Sequence, residues 1–298
     1  MSFDLNAYLR KTRDRINQAL PVYIQRYCPS ERMRQPVEYV LMGPGKRVRP
    51  ILCLASCEAV SDHSDNAMPA ACALEMIHTY SLVHDDLPAL DNDALRRGRP
   101  TCHVKFNEST AILTGDALLN MAFELLAESA STLNNGMLRA WVDAVACIAR
   151  ASGCRGMIDG QARDLANEGV AITIDELKEM HALKTGALIA AAIESGAILG
   201  NASPHQRTCL DAYAKAIGLA FQVVDDILNV TGDPQVMGKA VGTDAVRAKS
   251  TYPALLGLPE SEKLSHTLID RALQALLNFD SKADPLRAIA KYIIERKR

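Results

Sequence analysis

The chain has 298 residues, and 48% of them are hydrophobic, which is enough for a large buried core. Its formal net charge of −2 excludes a global field that would recruit nucleic acid or a membrane surface, so any anion must bind at a local basic cluster. The eight cysteines include no C-x-x-C pair, which argues against a zinc or thioredoxin-like site and favours reduced thiols in a cytoplasmic protein.

Helical periodicity runs through nearly the whole chain, whereas aromatic residues make up only 5% and alternating β-branched runs are scarce. This pattern predicts an all-α fold. Because no linker or change of composition interrupts the sequence, we expect one domain over residues 1–298. No stretch approaches the ~18 uninterrupted apolar residues of a membrane span, so we expect none.

The helices are predicted in chain order from apolar spacing and from capping signals. Thr173 and Glu176 form a capping box, and Ser203-Pro204 and Asp284-Pro285 each resemble an N-cap followed by proline. A mobile loop is expected over residues 232–249, which are rich in Gly, Lys and Asp. The predicted helices cover about residues 5–27, a short segment ending near 42, 50–60, 67–87, 109–126, 137–151, 173–189, 203–228, and from 284 toward the C-terminus.

A first acidic site closes one apolar helix, at Asp85, Asp86 and Asp91. Carboxylates at the end of a core helix are destabilising unless cations compensate for their lost hydration. Pro88 should bend the backbone so that Asp91 returns toward Asp85. A solvated helix end with chance acids is the plain alternative for this site alone.

A second acidic site, Asp225, Asp226 and Asn229, also ends an apolar helix. Residues 225 and 229 are four positions apart and share one helical face. Oxygen-only side chains suit a hard cation such as Mg²⁺, which typically binds one or two carboxylates together with substrate phosphates. Two such sites in one chain therefore predict a magnesium-dependent site for a phosphorylated ligand.

Basic residues that could grip phosphate follow the same regions, because arginine binds phosphate oxygens in a bidentate way and lysine acts as a point charge. Together with the apolar helices, they indicate a diphosphate that carries an apolar tail. The basic residues are Lys46, Arg47 and Arg49, then Arg96 and Arg97, and singly Lys184, Lys239 and Lys249.

Four motifs in this order resemble those of the trans-isoprenyl diphosphate synthases, and most closely those of the bacterial farnesyl diphosphate synthases. The resemblance extends from about residue 40 to 255. The motifs are GKRVRP at 45–50, HDDLPALDNDALRRGR at 84–99, GQARD at 160–164 and FQVVDDILN at 221–229.

The resemblance implies a bundle of antiparallel helices around a deep central cavity, in a homodimer. It implies head-to-tail condensation of isopentenyl diphosphate with dimethylallyl and then geranyl diphosphate to give farnesyl diphosphate. It also implies Mg²⁺, usually three ions with substrate bound, and inhibition by bisphosphonates. Nucleic acid is not an expected partner.

The resemblance also assigns roles to individual residues. Bulky Tyr80, five positions before Asp85 and about 7.5 Å along a helix axis at ~1.5 Å per residue, would form the floor of the tail pocket. The implied metal ligands are Asp85, Asp86, Asp91 and Asp225; Arg96 would hold the allylic diphosphate; Lys46, Arg49, His78 and Arg97 would hold isopentenyl diphosphate; and Lys184, Thr185, Gln222 and Lys239 would surround the allylic end.

Departures from the family pattern leave alternatives open. Asn229 replaces the usual last aspartate of the second acidic motif, Pro44 stands where glycine is usual, and Arg163 stands where an apolar residue is common.

A geranylgeranyl diphosphate synthase, a terpene cyclase and a non-catalytic subunit are the alternatives. A cyclase has no need of a second diphosphate site, which Lys46 and Arg49 would supply.

Overall fold

Helix α1 (Leu5–Tyr27) illustrates how the sequence produces the fold. The side chain of Asp4 accepts a hydrogen bond from Ala7 N and caps the first turn. Ile16, Leu20 and Ile24 then recur every four residues and are fully buried. Side-chain caps of the same kind begin Asn135–Ser152, Ile174–His181, Pro204–Thr231 and Tyr252–Leu256, where Asn134, Thr173, Ser203 and Thr251 accept from backbone N–H groups.

The structure is a computed structural model that describes residues 3–131, 133–232 and 250–295. Within these ranges it is almost entirely helical, as the sequence predicts, and the one sheet is a two-residue hairpin. The elements are α1 (Leu5–Tyr27), α2 (Glu31–Leu41), α3 (Val48–Glu58), α4 (Met68–Asp85), β1 (Leu95–Arg96), β2 (Arg99–Pro100), α5 (Cys102–Lys105), α6 (Glu108–Ser131), α7 (Asn135–Ser152), α8 (Met157–Ala166), α9 (Ile174–His181), α10 (Ala187–Leu199), α11 (Pro204–Thr231), α12 (Tyr252–Leu256), α13 (Leu258–Ala275) and α14 (Asp284–Glu295), with short 3₁₀ turns at Asp65–Ala67 and Ser281–Ala283.

Helix α4 lies in the middle of the bundle. It packs against α6 on one side and contacts α3 and α10 on the other. Because it is enclosed, α4 is apolar around its whole circumference, and most of its residues from Ala70 to Val83 are buried. The charged C-terminal end of α4 therefore follows directly on a segment that is buried in the core of the bundle.

The predicted helix boundaries are confirmed to within a few residues for most of the described chain. The capping box at Thr173 and a second one formed by Ser203 and Gln206 are both present. Asp284 is different, because it is the first residue of α14 and pairs with Arg287, while Asp280 caps the 3₁₀ turn before it. Helices α8 and α13 and the hairpin were not predicted, and the expected loop at 232–249 lies almost wholly outside the described residues.

Two helical stretches, Glu108–Ser131 and Ile174–Leu199, are long and apolar enough to cross a membrane by length and composition alone. The apolar windows are 44% and 50% buried inside the bundle. Core helices of soluble proteins meet the same criteria, so these two helices are weak evidence for a membrane span.

Candidate active site

The end of α4 forms the first acidic cluster. After Asp85 the chain leaves the helix and turns back, so that Asp91 N donates a hydrogen bond of 2.8 Å to Asp85 O. The predicted return of Asp91 is confirmed. Burial, followed by the charges of Asp91 and Asp86, raises the pKa of Asp85 to about 6, although Lys184 and Arg96 oppose the shift. This cluster of acids would therefore be stabilised by a cation.

Asp86 points toward the hairpin and is almost fully buried. Its Oδ1 accepts a hydrogen bond of 2.6 Å from Arg96 Nε and forms an ion pair with Arg96 Nη2. The pKa of Asp86 is nevertheless raised, because burial outweighs the arginine. The pair brings together a predicted metal ligand and a predicted diphosphate ligand, and the Asp86 carboxylate orients the Arg96 guanidinium.

The hairpin turn carries Arg97 to the loop before α3. Arg97 and Gly98 both have positive φ, of 53° and 75°, as a tight hairpin turn requires. Arg97 Nη1 donates to Pro44 O at 2.8 Å. A Cβ on Gly45 would lie 2.7 Å from the same nitrogen, so glycine allows this approach. The two basic motifs therefore meet in space.

His78, on α4, lies among the arginines of these motifs. Burial, followed by the charges of Arg49, Arg97, Arg96 and Arg47, lowers its pKa well below the usual value. The imidazole is therefore neutral at pH 7. Burial likewise lowers the pKa of Arg49 to about 10, and the charges of Glu75 and Asp225 partly oppose this. The predicted diphosphate ligands Arg49, His78 and Arg97 thus share one cationic region, and Lys46 is exposed on the same loop.

A buried ion pair, Arg47 with Glu75, lies behind this region and was not predicted as part of the site. Arg47 Nη1 is 2.8 Å from Glu75 Oε1, and both side chains are 3% exposed. The signal in the sequence was a glutamate in the otherwise apolar stretch ACALEMI at 71–77. A buried charge of this kind requires a partner.

Helices α9 and α10 are joined by a π-helical turn, Ala182–Gly186, which contains Lys184 and Thr185. Lys184 Nζ is 2.6 Å from Asp164 Oδ2 on α8, the last residue of the GQARD motif. A Cβ on Gly160 would lie 2.1 Å from Lys184 N, so α8 approaches this turn only because residue 160 is glycine. Turns of this type occur often at functional sites, because they reorient side chains within a helix.

The second acidic site divides its two aspartates between two tasks. Asp226 is buried, and its Oδ2 accepts a hydrogen bond of 2.9 Å from Tyr252 N at the start of α12. Asp225 is partly exposed and lies near enough to Arg49 to affect its pKa. Gln222 lies three residues earlier on the same helical face. Asn229 is buried. Asp225 is therefore the more exposed aspartate of this site.

Tyr80 lies on α4, five residues before Asp85, and is 7% exposed. Its ring meets His84 edge-on at 5.8 Å, and burial together with Asp85 raises its pKa to about 12. His84 in turn packs on α6, where a Cβ on Gly115 would lie 2.1 Å from its Nε2. The position fits a bulky side chain that limits space beneath the acids.

Arg163, for which the sequence offered no account, joins two helices at the surface. Its Nε is 2.9 Å from Asp159 Oδ2 on α8, and its Nη1 is 3.0 Å from Glu179 Oε1 on α9. It thus fastens α8 beside the turn that contains Lys184. The predicted ligand Lys239, and Lys249, lie outside the described residues.

The acidic side chains of the site have the chemistry that Mg²⁺ requires. Among the described residues, no three His, Cys, Asp or Glu side chains are grouped as a ready metal cage. Magnesium often needs only one or two carboxylates and takes its remaining ligands from substrate phosphates and water. Asp85, Asp91 and Asp225 offer that kind of oxygen set. Burial is the main reason that the pKa of Asp85 is raised, so a bound cation would favour its ionised form. The residues therefore fit the ion.

An all-helical bundle with acidic helix ends facing several arginines defines the class of all-α prenyltransferases. The chain belongs to the polyprenyl synthetase family, whose model matches residues 30–290. Members of this family generally use Mg²⁺.

Known proteins are similar to nearly the whole of this chain. The geranylgeranyl diphosphate synthase of Cyanophora paradoxa is 43% identical over 99% of this chain and 97% of that protein. The heterodimeric geranylgeranyl pyrophosphate synthase large subunit 1, chloroplastic, of Arabidopsis thaliana is 44% identical over 99% of this chain and 80% of that protein. The structure of an FPP/GFPP synthase from Zymomonas mobilis is 36% identical, covers 96% of this chain and 98% of that chain, and has a TM-score of 0.83.

These findings correct two expectations. The names of the relatives support the geranylgeranyl alternative better than the farnesyl assignment. The predicted cytoplasmic location is contradicted, because the Arabidopsis relative and further plant relatives are named as chloroplastic proteins.

Proposed function

We propose that the protein condenses isopentenyl diphosphate head-to-tail with an allylic diphosphate, using Mg²⁺. The observation that carries the proposal is the convergence of two acidic helix ends on one set of cations. Asp85 lies near Lys184 and Arg96, and Asp225 lies near Arg49. A site built in this way suits two diphosphates.

In the proposed reaction, Asp85, Asp86, Asp91 and Asp225 are the residues that would hold Mg²⁺. When bound, Mg²⁺ supplies charge neutralisation for the departing diphosphate. Arg96, oriented by Asp86, binds the allylic diphosphate and stabilises the negative charge that develops on it.

Lys46, Arg49, His78 and Arg97 are the proposed ligands of isopentenyl diphosphate. Neutral His78 hydrogen-bonds without adding a positive charge to the arginines. The carbon–oxygen bond of the allylic diphosphate breaks to leave an allylic cation, and the double bond of isopentenyl diphosphate attacks that cation to form a carbon–carbon bond. The proton lost in the last step passes to the released diphosphate.

Lys184, Thr185, Gln222 and Lys239 are proposed to surround the allylic end. Lys184 can orient the leaving group because Asp164 fixes its ammonium at 2.6 Å. The apolar faces of the bundle keep water away from the cation, which water would quench.

The position of Tyr80 supports a fifteen-carbon product, farnesyl diphosphate. A bulky, buried side chain about 7.5 Å along α4 from Asp85, at ~1.5 Å per residue, would act as a floor that limits the length of the tail. Geranylgeranyl diphosphate is the second candidate, and the names of the relatives favour it.

One assay tests the reaction and the product together. Purified protein is incubated with Mg²⁺, isopentenyl diphosphate and dimethylallyl diphosphate, and the products are separated by chain length. A fifteen-carbon diphosphate is expected. A twenty-carbon main product would overturn the farnesyl assignment and retain the class. Absence of any condensation by protein that binds a bisphosphonate with Mg²⁺ would favour a non-catalytic subunit.

A homodimer is the proposed assembly. Helices α6 and α7 expose apolar side chains that a second copy could cover, including Ile112, Leu113 and Val142, each 46–54% exposed. Light scattering on the purified protein should give twice the mass of one chain, and a monomer mass would exclude this assembly.

A further inference from the structure

Arg47 occupies an unusual position between two proposed substrate ligands. It lies between Lys46 and Arg49 in sequence, yet its own side chain is 3% exposed and points into the core. Its backbone has a φ of 54° at the start of α3, a left-handed conformation that is uncommon for residues other than glycine. Such conformations persist only where the surrounding contacts hold them.

The contacts of the Arg47 guanidinium join four elements. Nη1 donates to Glu75 on α4 at 2.8 Å, and Nη2 donates to Leu41 O at the end of α2 at 2.8 Å. Nε donates to Asn17 Oδ1 on α1 at 3.0 Å. With its backbone at the start of α3, this side chain fixes where the basic loop sits relative to three other helices.

Glu75 is the acidic partner at the centre of the arrangement. Its Oε2 is buried and has no hydrogen-bond partner among the residues that the structure describes, and the same is true of Arg49 Nε. The negative charge of Glu75 acts on Arg49 across the space between them. His78 lies three residues beyond Glu75 on the same face of α4.

The geometry points to Arg47 and Glu75 as a positioning pair that sets the register between the basic loop and α4, and thereby assembles the isopentenyl diphosphate site from Arg49 and His78. Neither residue touches substrate in this role. The inference rests on the proposed function, because it assigns these cations to isopentenyl diphosphate.

A purely stabilising role makes a different prediction. Buried ion pairs can often be replaced by well-packed apolar residues without loss of stability, whereas removal of one partner leaves an unpaired charge. The double variant Arg47→Met/Glu75→Leu should therefore fold, yet it lacks the guanidinium hydrogen bonds that fix the position of the basic loop. The matched control is Lys215→Met, which breaks the exposed ion pair between Lys215 and Asp211 on α11.

The experiment measures KM for isopentenyl diphosphate and for the allylic substrate separately, together with Tm. For the double variant we expect KM for isopentenyl diphosphate to rise about tenfold or more, as when one charged hydrogen bond is lost. KM for the allylic substrate should change less than about twofold, and the control should match wild type. Glu75→Gln, which keeps the shape of the side chain and removes its charge, should raise the same KM.

Each other outcome overturns the inference. Wild-type KM values in the folded double variant, or equal increases for both substrates, would leave the pair a stabilising role only. If the double variant does not fold, Glu75→Gln decides in the same way. Failure of the proposed function itself is distinct, because wild-type protein would then not condense isopentenyl diphosphate.

Discussion

The contact between α8 and the π turn gives a sharp test of how the Lys184 site is built. In Gly160→Ala the new Cβ would lie 2.1 Å from Lys184 N and 2.5 Å from Lys184 Cα. Both are backbone atoms, which no side-chain rotation can move. Reaching an ordinary contact of 3.4 Å requires the two segments to separate by about 1 Å.

Two effects should follow from that separation. Overpacking a tight contact destabilises a protein by about 1–3 kcal/mol. A displacement of about 1 Å in a group that orients the substrate can lower the rate about 100-fold. The displacement also lengthens the 2.6 Å contact between Lys184 and Asp164.

The assay compares kcat and Tm of Gly160→Ala with those of Gly136→Ala. Gly136 lies on α7, and a Cβ there would lie 3.5 Å from Asn134 Oδ1, an ordinary contact, so this control should keep wild-type activity and stability. A Gly160→Ala protein with kcat within about threefold of wild type, and with unchanged Tm, would refute the reasoning. It would mean that α8 moves without disturbing Lys184.

Further predictions concern charge and product length. Asp164→Asn should lower kcat about tenfold, because a charged hydrogen bond to Lys184 is weakened, with little change in Tm; steady-state kinetics would show this. Tyr80→Ala should lengthen the main product by at least one five-carbon unit, and an unchanged product length would remove Tyr80 from the role of floor. Without Mg²⁺, Asp85→Asn should be more stable than wild type at pH 7, by a margin that shrinks toward pH 5, because the folded-state pKa of about 6 lies above the unfolded value and penalises the ionised form as pH rises; Tm measured at both pH values checks the sign. A bisphosphonate should raise Tm only when Mg²⁺ is present, and a rise without Mg²⁺ would contradict binding through the acidic sites.

The helices could be predicted from the sequence because the signals that define a helix lie within a few residues of one another. Apolar spacing and caps depend on neighbours within a few residues, so α1 and the capping box at Thr173 were within reach of the sequence. The return of Asp91 to Asp85 was also predictable, because a proline three residues after Asp85 ends the helix.

Long-range pairing was not predictable in the same way. The partner of Arg47 is Glu75, and the partner of Lys184 is Asp164, on different helices. A single sequence indicates that a buried glutamate needs a cationic partner, but it does not show which of several arginines forms the ion pair. The π turn was missed because Ala182, Leu183 and Lys184 are good helix formers and a single glycine, Gly186, is tolerated inside a helical pattern. The close packing of the turn against Gly160 is visible only in the structure.

The π turn constrains how the sequence of this site could change in evolution. Helices α9 and α10 are in effect one helix with one additional residue in the turn between them. Deleting a single residue there would restore a regular α-helical turn, and each residue of an α-helix rotates the chain by about 100°. The helix on one side would swing its apolar face out of the bundle, or Lys184 would turn away from Asp85. The direction in which the side chains of the turn point is therefore determined by the number of residues in the turn as much as by their identity. Point substitutions alone would not produce the rotation that deletion of one residue causes.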